Sequence, residues 1–589
     1  MKWSLKELYE SFESPEFLRD SKRILTLIEE VNTYAEKEFQ EVERAKEKLE
    51  TYLHYEMEMS NLVSRVMGFA NLTMSTDARN EAAREHFSRI AMKLSAITKA
   101  EVLFKRFVQK LEDLEEIIRG SAFLTEHRFL LEEAKKEGQY LLSDAEEMLI
   151  AKMSNTGSKA WTNLQNILTS TLLVEMEKEG ENVSLPLPAV RNLAYDKDPA
   201  VRKAAYEAEL AAYKKVEESS AAALNGIKGE VLTVSELRGF ETPLHETLFQ
   251  SRMEKETLDA MFDAIRESLP SFRKYLKRKA ALLGHEKGLP FYDLFAPMGE
   301  SEMQFTYEEA MDYIVKNFST FSPKLGQYAK EAYEKNWLDV EPREGKRGGA
   351  FCSNLHVIGE SRILSNFDGS FSNMTTLAHE LGHGYHGFNL KEETILNSSY
   401  PMPIAETASI FCETIVVQAA LKEMSDREAV TILEQSISDS TQVIVDIYSR
   451  YLFETKLFET RKDHPLSVKE LNAFMLEAQK EAYGDGLDEE VLHPYMWLNK
   501  THYYSAGRNF YNFPYAFGLL FSKGLYAIYL KRGESFVPEY DALLSVTGKK
   551  SIKEVAELMD IDVTKPDFFR DSLKIVERDI EKFLELTKK

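Results

Sequence analysis

No proline occurs between residues 16 and 185, and that absence constrains the fold of this chain more than any other feature. Proline inside a helix costs about 3 kcal/mol and is the commonest helix breaker, so so long a stretch without it reads as helix after helix. The one earlier proline sits where a helix begins. Ser14-Pro15-Glu16 offers an N-cap hydroxyl, a first-position proline and a first-turn acid, and Leu18, Leu25, Ile28 and Ala35 then predict one apolar face. To about residue 180 the pattern predicts long amphipathic helices, interrupted near Gly120, Gly138 and Gly157. Charge runs such as EKEFQEVERAKEKLE, residues 36–50, read as solvated faces with i,i+4 ion pairs. With 27 glycines and 17 prolines in 589 residues, both types stay below their average shares of about 7% and 5%, and the fold class is mainly α.

The texture changes at SLPLPAVRNLAYDKDPAVRKAAY, residues 184–206, where Asp198-Pro199 restarts a helix by the same cap logic. A boundary here separates an N-terminal helical lobe, 1–185, from a second region, 186–589. A loop rich in glycine and basic residues, WLDVEPREGKRGGAFCS at 337–353, reads equally as a mobile lid or a solvated connector. SRILSNFDGSF, residues 361–371, is the best strand candidate, with Asp368-Gly369 as its turn.

Composition excludes several partners. A formal charge of −23 repels phosphate backbones and anionic lipid, so neither nucleic acid nor membrane is expected. The first residues lack the apolar core and cleavage site of a signal peptide, no eighteen consecutive residues are apolar, and two cysteines make no disulfide framework. These features predict a cytoplasmic setting; oligomeric state is not legible.

The segment TTLAHELGHGYHGF, Thr375 to Phe388, holds three of the 12 histidines. His379 and His383 stand one helical turn apart and project from one face, where they can grip one tetrahedral metal. Glu380 sits beside the first of them, placed to act on water without being a ligand: the H-E-x-x-H arrangement of zinc hydrolysis. Gly382, Gly384 and Gly387 each cost a helix about 1 kcal/mol, which predicts a close approach by another backbone, a ligand or a packed strand. A catalytic zinc needs a third protein ligand and an open position. Residue 389, where a third histidine would complete one known pattern, is Asn389. His386 would strain a tetrahedron and reads as a hydrogen-bonding support or a plain structural residue. In PMPIAETASIFCETIVV the expected ligand is Glu406, on a helix returning after Pro403. Glu413 is the runner-up, and otherwise would orient a histidine through its free ring N–H.

These blocks resemble the thimet oligopeptidase and oligoendopeptidase F group of zinc metallopeptidases, the oligoendopeptidase F branch most closely. The resemblance rests on LAHELGHGYH, PIAETASIFCET, GGAFCSNL with SNFDGS, and THYYSAGRNFYNFPYAFG at 501–518, and covers roughly residues 185–585. It implies a zincin-like, two-lobed helical ellipsoid with a deep central channel and a small sheet near the zinc helix. It also implies one Zn2+ per chain on His379, His383 and Glu406, with Glu380 as catalytic base. Matched to the family pattern, His502, Tyr511 and Tyr515 look like the donors that reach the scissile carbonyl. The spacing carries an extra residue relative to the thimet branch, which leaves open which tyrosine donates.

The expected function is therefore zinc-dependent endopeptidase action on short oligopeptides, with zinc-bound water activated by Glu380. A helical zinc carboxypeptidase or dipeptidase would use the same constellation but needs a cation for the terminal carboxylate, and the sequence singles out none. A non-catalytic helical binding protein with a structural metal is the remaining alternative.

Overall fold

The computed structural model describes residues 2–178, 180–299 and 303–588. The fold is mainly helical with small sheets, as the proline-poor sequence predicts. The chain divides into two compact units, each built from three segments. The first comprises Met1–Leu141, Glu302–Lys422 and Ile528–Ile561, and the second Leu142–Ser301, Glu423–Ala527 and Asp562–Lys589. The division expected at residue 185 falls instead inside the second unit's opening segment. Packing accounts for this: Leu172, Val174 and Met176 are buried in one core with Phe453 and Leu457, while Leu355 and Leu364 are buried in the other with the helices of residues 15–134.

The helix Pro15–Glu38 starts as predicted, with Ser14 Oγ accepting from the Phe17 N–H. Its buried face is Phe17, Ile24, Ile28, Val31 and Ala35. Leu18 and Leu25, predicted on that face, are 49% and 36% exposed and lie off it. Gly120 caps one helix end, Gly138 closes another helix and Gly157 precedes a third, as the interruptions predict.

The expected helices do not continue to residue 180. Strands β1 (Leu173–Lys178) and β2 (Glu181–Pro186) form an antiparallel hairpin in the second unit. Leu172, Val174 and Met176 are buried while Leu173, Glu175 and Glu177 are exposed, a period of two hidden by the abundance of helix-forming glutamate and lysine. Asp198 then caps the helix Pro199–Tyr213 as its sequence predicts, accepting from the Ala200 N–H at 2.8 Å.

The first unit holds a second sheet, of strands β3 (Leu338–Asp339), β4 (Phe351–Leu355) and β5 (Glu360–Leu364), in the order β3-β5-β4. The predicted strand at 361–367 ends at Leu364 and lies at the centre, parallel to β3 and antiparallel to β4. Beyond it, the Ser365 and Phe367 N–H groups donate to the carbonyls of Asp339 and Val340. The glycine-rich loop is solvated at Glu341, Pro342, Glu344, Arg347, Gly348 and Gly349 but anchored at its base. Arg343 grips Asp339 through both terminal nitrogens, at 2.6 and 2.8 Å, and Lys346, fully buried, donates to the Asp339 and Glu341 carbonyls.

Candidate metal centre and its donors

Ser370 ends the turn after β5 and caps the histidine helix, Phe371–Asn389, by accepting from the Asn373 N–H. That helix packs on β4 and β5. Its three glycines each face a close neighbour. A Cβ on Gly384 would meet Tyr328 Oη at 2.0 Å, and one on Gly387 the Asn354 amide at 2.3 Å. A Cβ on Gly382 would meet the Ala408 carbonyl oxygen at 2.5 Å and Ser409 Cα at 2.6 Å. Gly382 thus lets the backbone of a second helix, Thr407–Glu423, approach the first. Glu406 sits at the joint between that helix and the short turn Met402–Ala405, with a non-helical backbone (φ −87°, ψ 2°). The span Met402–Glu423 is long and apolar enough to cross a membrane, but 67% of it is buried in the protein, as befits a core helix.

The donor atoms of His379, His383 and Glu406 all lie within 4.8 Å of one another. Glu406 Oε2 is 3.2 Å from His379 Nε2 and 3.5 Å from His383 Nε2. For a tetrahedral ion with bonds of about 2.0–2.1 Å the ligand–ligand edge is about 3.3 Å, so the set fits such an ion. The outer contacts fit as well. His379 Nδ1 is 3.1 Å from Glu413 Oε2, and the His383 ring donates to the Ala405 carbonyl, leaving Nε2 of each ring facing Glu406. Ser409 Oγ donates to Glu406 Oε2 at 2.9 Å.

Electrostatics separate the groups. Burial opposes charge on His379, yet its bonds to Glu406 and Glu413 raise it to about 10. Burial and the His379 charge push His383 down to about 4. Burial works to raise Glu406, but both imidazoles and Ser409 take it down to about 2. Glu380, 7% exposed, is pushed up to about 7 by burial, with His379 and the Cys352 N–H opposing and Glu406 adding.

Of the two roles expected for His386, its contacts fit the plain structural one. It is fully buried, stacks on Tyr400 at 4.0 Å and places Nε2 2.8 Å from Thr547 Oγ1, so it belongs to the packing of the first unit.

His502, Tyr511 and Tyr515 come together in the second unit. His502 lies in the short helix Thr501–Tyr504, its ring 5.8 Å from that of Tyr511, and Tyr511 Oη is 3.0 Å from Tyr515 Oη. Burial and the charges of Arg450, Lys228, Lys500 and Arg508 lower His502 to about 3, so it is a neutral imidazole. A residue with no motif around it, Lys228, holds this loop. Buried Lys228 donates to Asn509 Oδ1 at 2.8 Å and Glu454 Oε1 at 3.0 Å, beside Phe510 in a left-handed conformation (φ 51°). A lysine on a helix 281 residues away carries no local signal of that contact.

The Peptidase family M3 profile matches residues 192–575, and the Oligopeptidase F profile matches residues 110–172. Oligopeptidase PepF of Bacillus subtilis is 23% identical over 597 residues, covering 100% of this chain and 87% of that one. Two solved structures share the fold. One is a putative peptidase from Chlamydophila abortus (TM-score 0.84, 19% identity, 99% of this chain and 98% of that one), the other oligoendopeptidase-F from Enterococcus faecium (TM-score 0.71, 18%, 96% and 98%). Since the first profile runs through most of the chain, from before the histidine helix to beyond the tyrosine block, the chain belongs to peptidase family M3 and is a metallo-endopeptidase of the oligoendopeptidase F type.

Proposed function

We propose that the chain hydrolyses internal bonds of short peptides with one zinc ion held by His379, His383 and Glu406. The observation that carries this reading is the convergence of two imidazole Nε2 atoms on one carboxylate oxygen at 3.2 and 3.5 Å, with Glu380 buried alongside. Zinc bound there supplies Lewis acidity, polarising the scissile carbonyl and acidifying water. Glu380 takes the proton of the attacking water and passes it to the leaving amine. Burial raises its carboxyl above the usual carboxylate range, which makes it a better proton acceptor. The Cys352 N–H donates to that carboxylate and fixes its direction.

His502, Tyr511 and Tyr515 serve as hydrogen-bond donors to the developing oxyanion, a contribution of about 2.7–4 kcal/mol for one such donor. Backbone capture of the peptide belongs to β4. Its outer edge, beside Glu380, has no strand partner among the described residues, whereas β5, the strand singled out in the sequence, is paired on both sides. Gripping backbone predicts broad sequence tolerance. The oligopeptidase names of the relatives support short peptides as substrates. Two free thiols, Cys352 and Cys412, support a reducing, cytoplasmic setting.

The test is a quenched fluorescent peptide with both termini blocked, assayed alongside metal analysis of wild type and Glu380→Gln. Wild type is expected to cleave it internally, and Glu380→Gln to retain zinc while losing nearly all turnover. A zinc-loaded Gln variant that remains active removes Glu380 from its role. Cleavage only of peptides with a free terminus makes the enzyme an exopeptidase.

A further inference from the structure

Phe510, the residue before Tyr511, has φ 51°, in the left-handed region that a bulky aromatic side chain rarely adopts. Such a conformation persists only where its surroundings over-determine it. Here they act on both sides of the peptide bond between Asn509 and Phe510. Asn509, 9% exposed, is held at three atoms. Its Oδ1 accepts from Lys228 Nζ at 2.8 Å, its carbonyl accepts from Thr247 Oγ1 at 3.0 Å, and its Nδ2 donates to the Ala506 carbonyl at 2.9 Å. The Phe510 ring stacks on Phe458 with centroids 5.6 Å apart and tilts against Tyr451 at 5.7 Å.

Lys228 links the two grips. Its side chain is fully buried, with Nζ 5.0 Å from the centre of the same Phe458 ring, a cation–π contact, and 3.0 Å from Glu454 Oε1. All of these residues, with Tyr511 and Tyr515, belong to the second unit. Helix-to-helix pairing alone gives little reason for a lysine here, since a buried ion pair can often be exchanged for apolar residues without loss of stability. The bond that such an exchange could not replace is the one to the loop, and it is the shorter of the two. One residue beyond the kink, the Tyr511 hydroxyl stands 3.0 Å from that of Tyr515, so a shift at Asn509 is passed to both.

We propose that Lys228 is a positioning residue for peptide hydrolysis: by holding Asn509 Oδ1 it keeps the kink at Phe510 and thereby fixes the Tyr511 hydroxyl, without touching substrate. The role rests on the reading of Tyr511 as one of the oxyanion donors. Asn509→Ala tests the bond while leaving the Lys228 charge beside His502 in place. On the blocked fluorescent peptide, with the zinc-loaded enzyme, it is expected to lower kcat about tenfold with KM unchanged, well short of the loss of about 100–1000-fold that follows removal of an oxyanion donor. In a Tyr511→Phe background the same substitution is expected to cost less than about twofold, because the hydroxyl it positions is gone. A purely structural asparagine would cost the same in both backgrounds. Lys228→Met combined with Glu454→Gln, which leaves no unpaired buried charge, is expected to reproduce both results, with Asn509→Ala adding nothing further. Wild-type kcat in Asn509→Ala, or an equal loss in the two backgrounds, overturns the proposal, as does wild-type kcat in the folded Lys228 variant. Full activity of Tyr511→Phe alone would instead overturn the donor reading, and the proposal with it.

Discussion

Glu413 Oε2 stands 3.1 Å from His379 Nδ1, across the ring from Nε2, which faces Glu406 Oε2 at 3.2 Å. The imidazole is thus held at both nitrogens by carboxylates from one helix and its leading turn. Such outer partners typically contribute about 10–100-fold to metal affinity. Glu413→Gln keeps an acceptor for the ring but removes its charge, and is expected to weaken zinc about tenfold in a competition assay with a metal buffer, with melting of the metal-free protein little changed. Equal affinity would reduce Glu413 to a packing residue.

Gly382→Ala separates local preference from packing. Alanine favours a helix over glycine by about 1 kcal/mol, so the isolated helix would gain. Here the new Cβ meets only backbone, at 2.5 and 2.6 Å, and no side chain can swing aside. The variant is expected to lose about 1–3 kcal/mol in denaturant titration and to bind zinc more weakly, because the helix displaced is the one whose start carries Glu406. A more stable Gly382→Ala would contradict the close contact.

His502 is expected to stay neutral well below its ordinary range, since burial and four neighbouring cations lower it to about 3. The unfolded chain protonates this group below about 6.5, while the folded protein does not. Between those limits the unfolded state binds the extra proton, so stability falls as pH falls. From pH 6.5 to 5 the loss is about 2 kcal/mol for this group, and His502→Gln should remove that share of the pH slope in urea titrations. NMR of the labelled ring should show no titration between pH 7.5 and 5.

Because Tyr511 Oη and Tyr515 Oη are 3.0 Å apart, one hydroxyl orients the other. Tyr515→Phe and Tyr511→Phe are each expected to lower kcat far more than they raise KM, and the double variant should cost clearly less than the product of the two. A rise in KM at constant kcat would make either tyrosine a substrate-binding group. Full additivity would uncouple the pair.

The pairing of His379 with His383 is legible because its geometry is local, whereas the approach of Glu406 to them is not. Four residues of helix fix His379 against His383, and three glycines announce a close neighbour, found at Gly382 as the backbone of the glutamate helix. The start of the helix at Pro15 and its restart at Pro199 were legible for the same reason. Non-local features were not. β1 and β2 hid behind glutamate and lysine, which favour helix until Val174 and Met176 find a core. β5 reads as a strand in the sequence, but its central place depends on pairing with the two-residue β3, too short to carry a sequence pattern. Lys228, poised under the tyrosine loop, looks like any helical lysine until Asn509 is folded against it.

Each unit is assembled from three separate stretches, and the stretches alternate along the chain. During synthesis, therefore, neither unit has all its parts early: the first waits for Ile561 and the second for the helix Pro566–Leu586. A gene cut at codon 185 would yield two products, neither of which contains a whole compact unit, so expression trials should keep the reading frame intact.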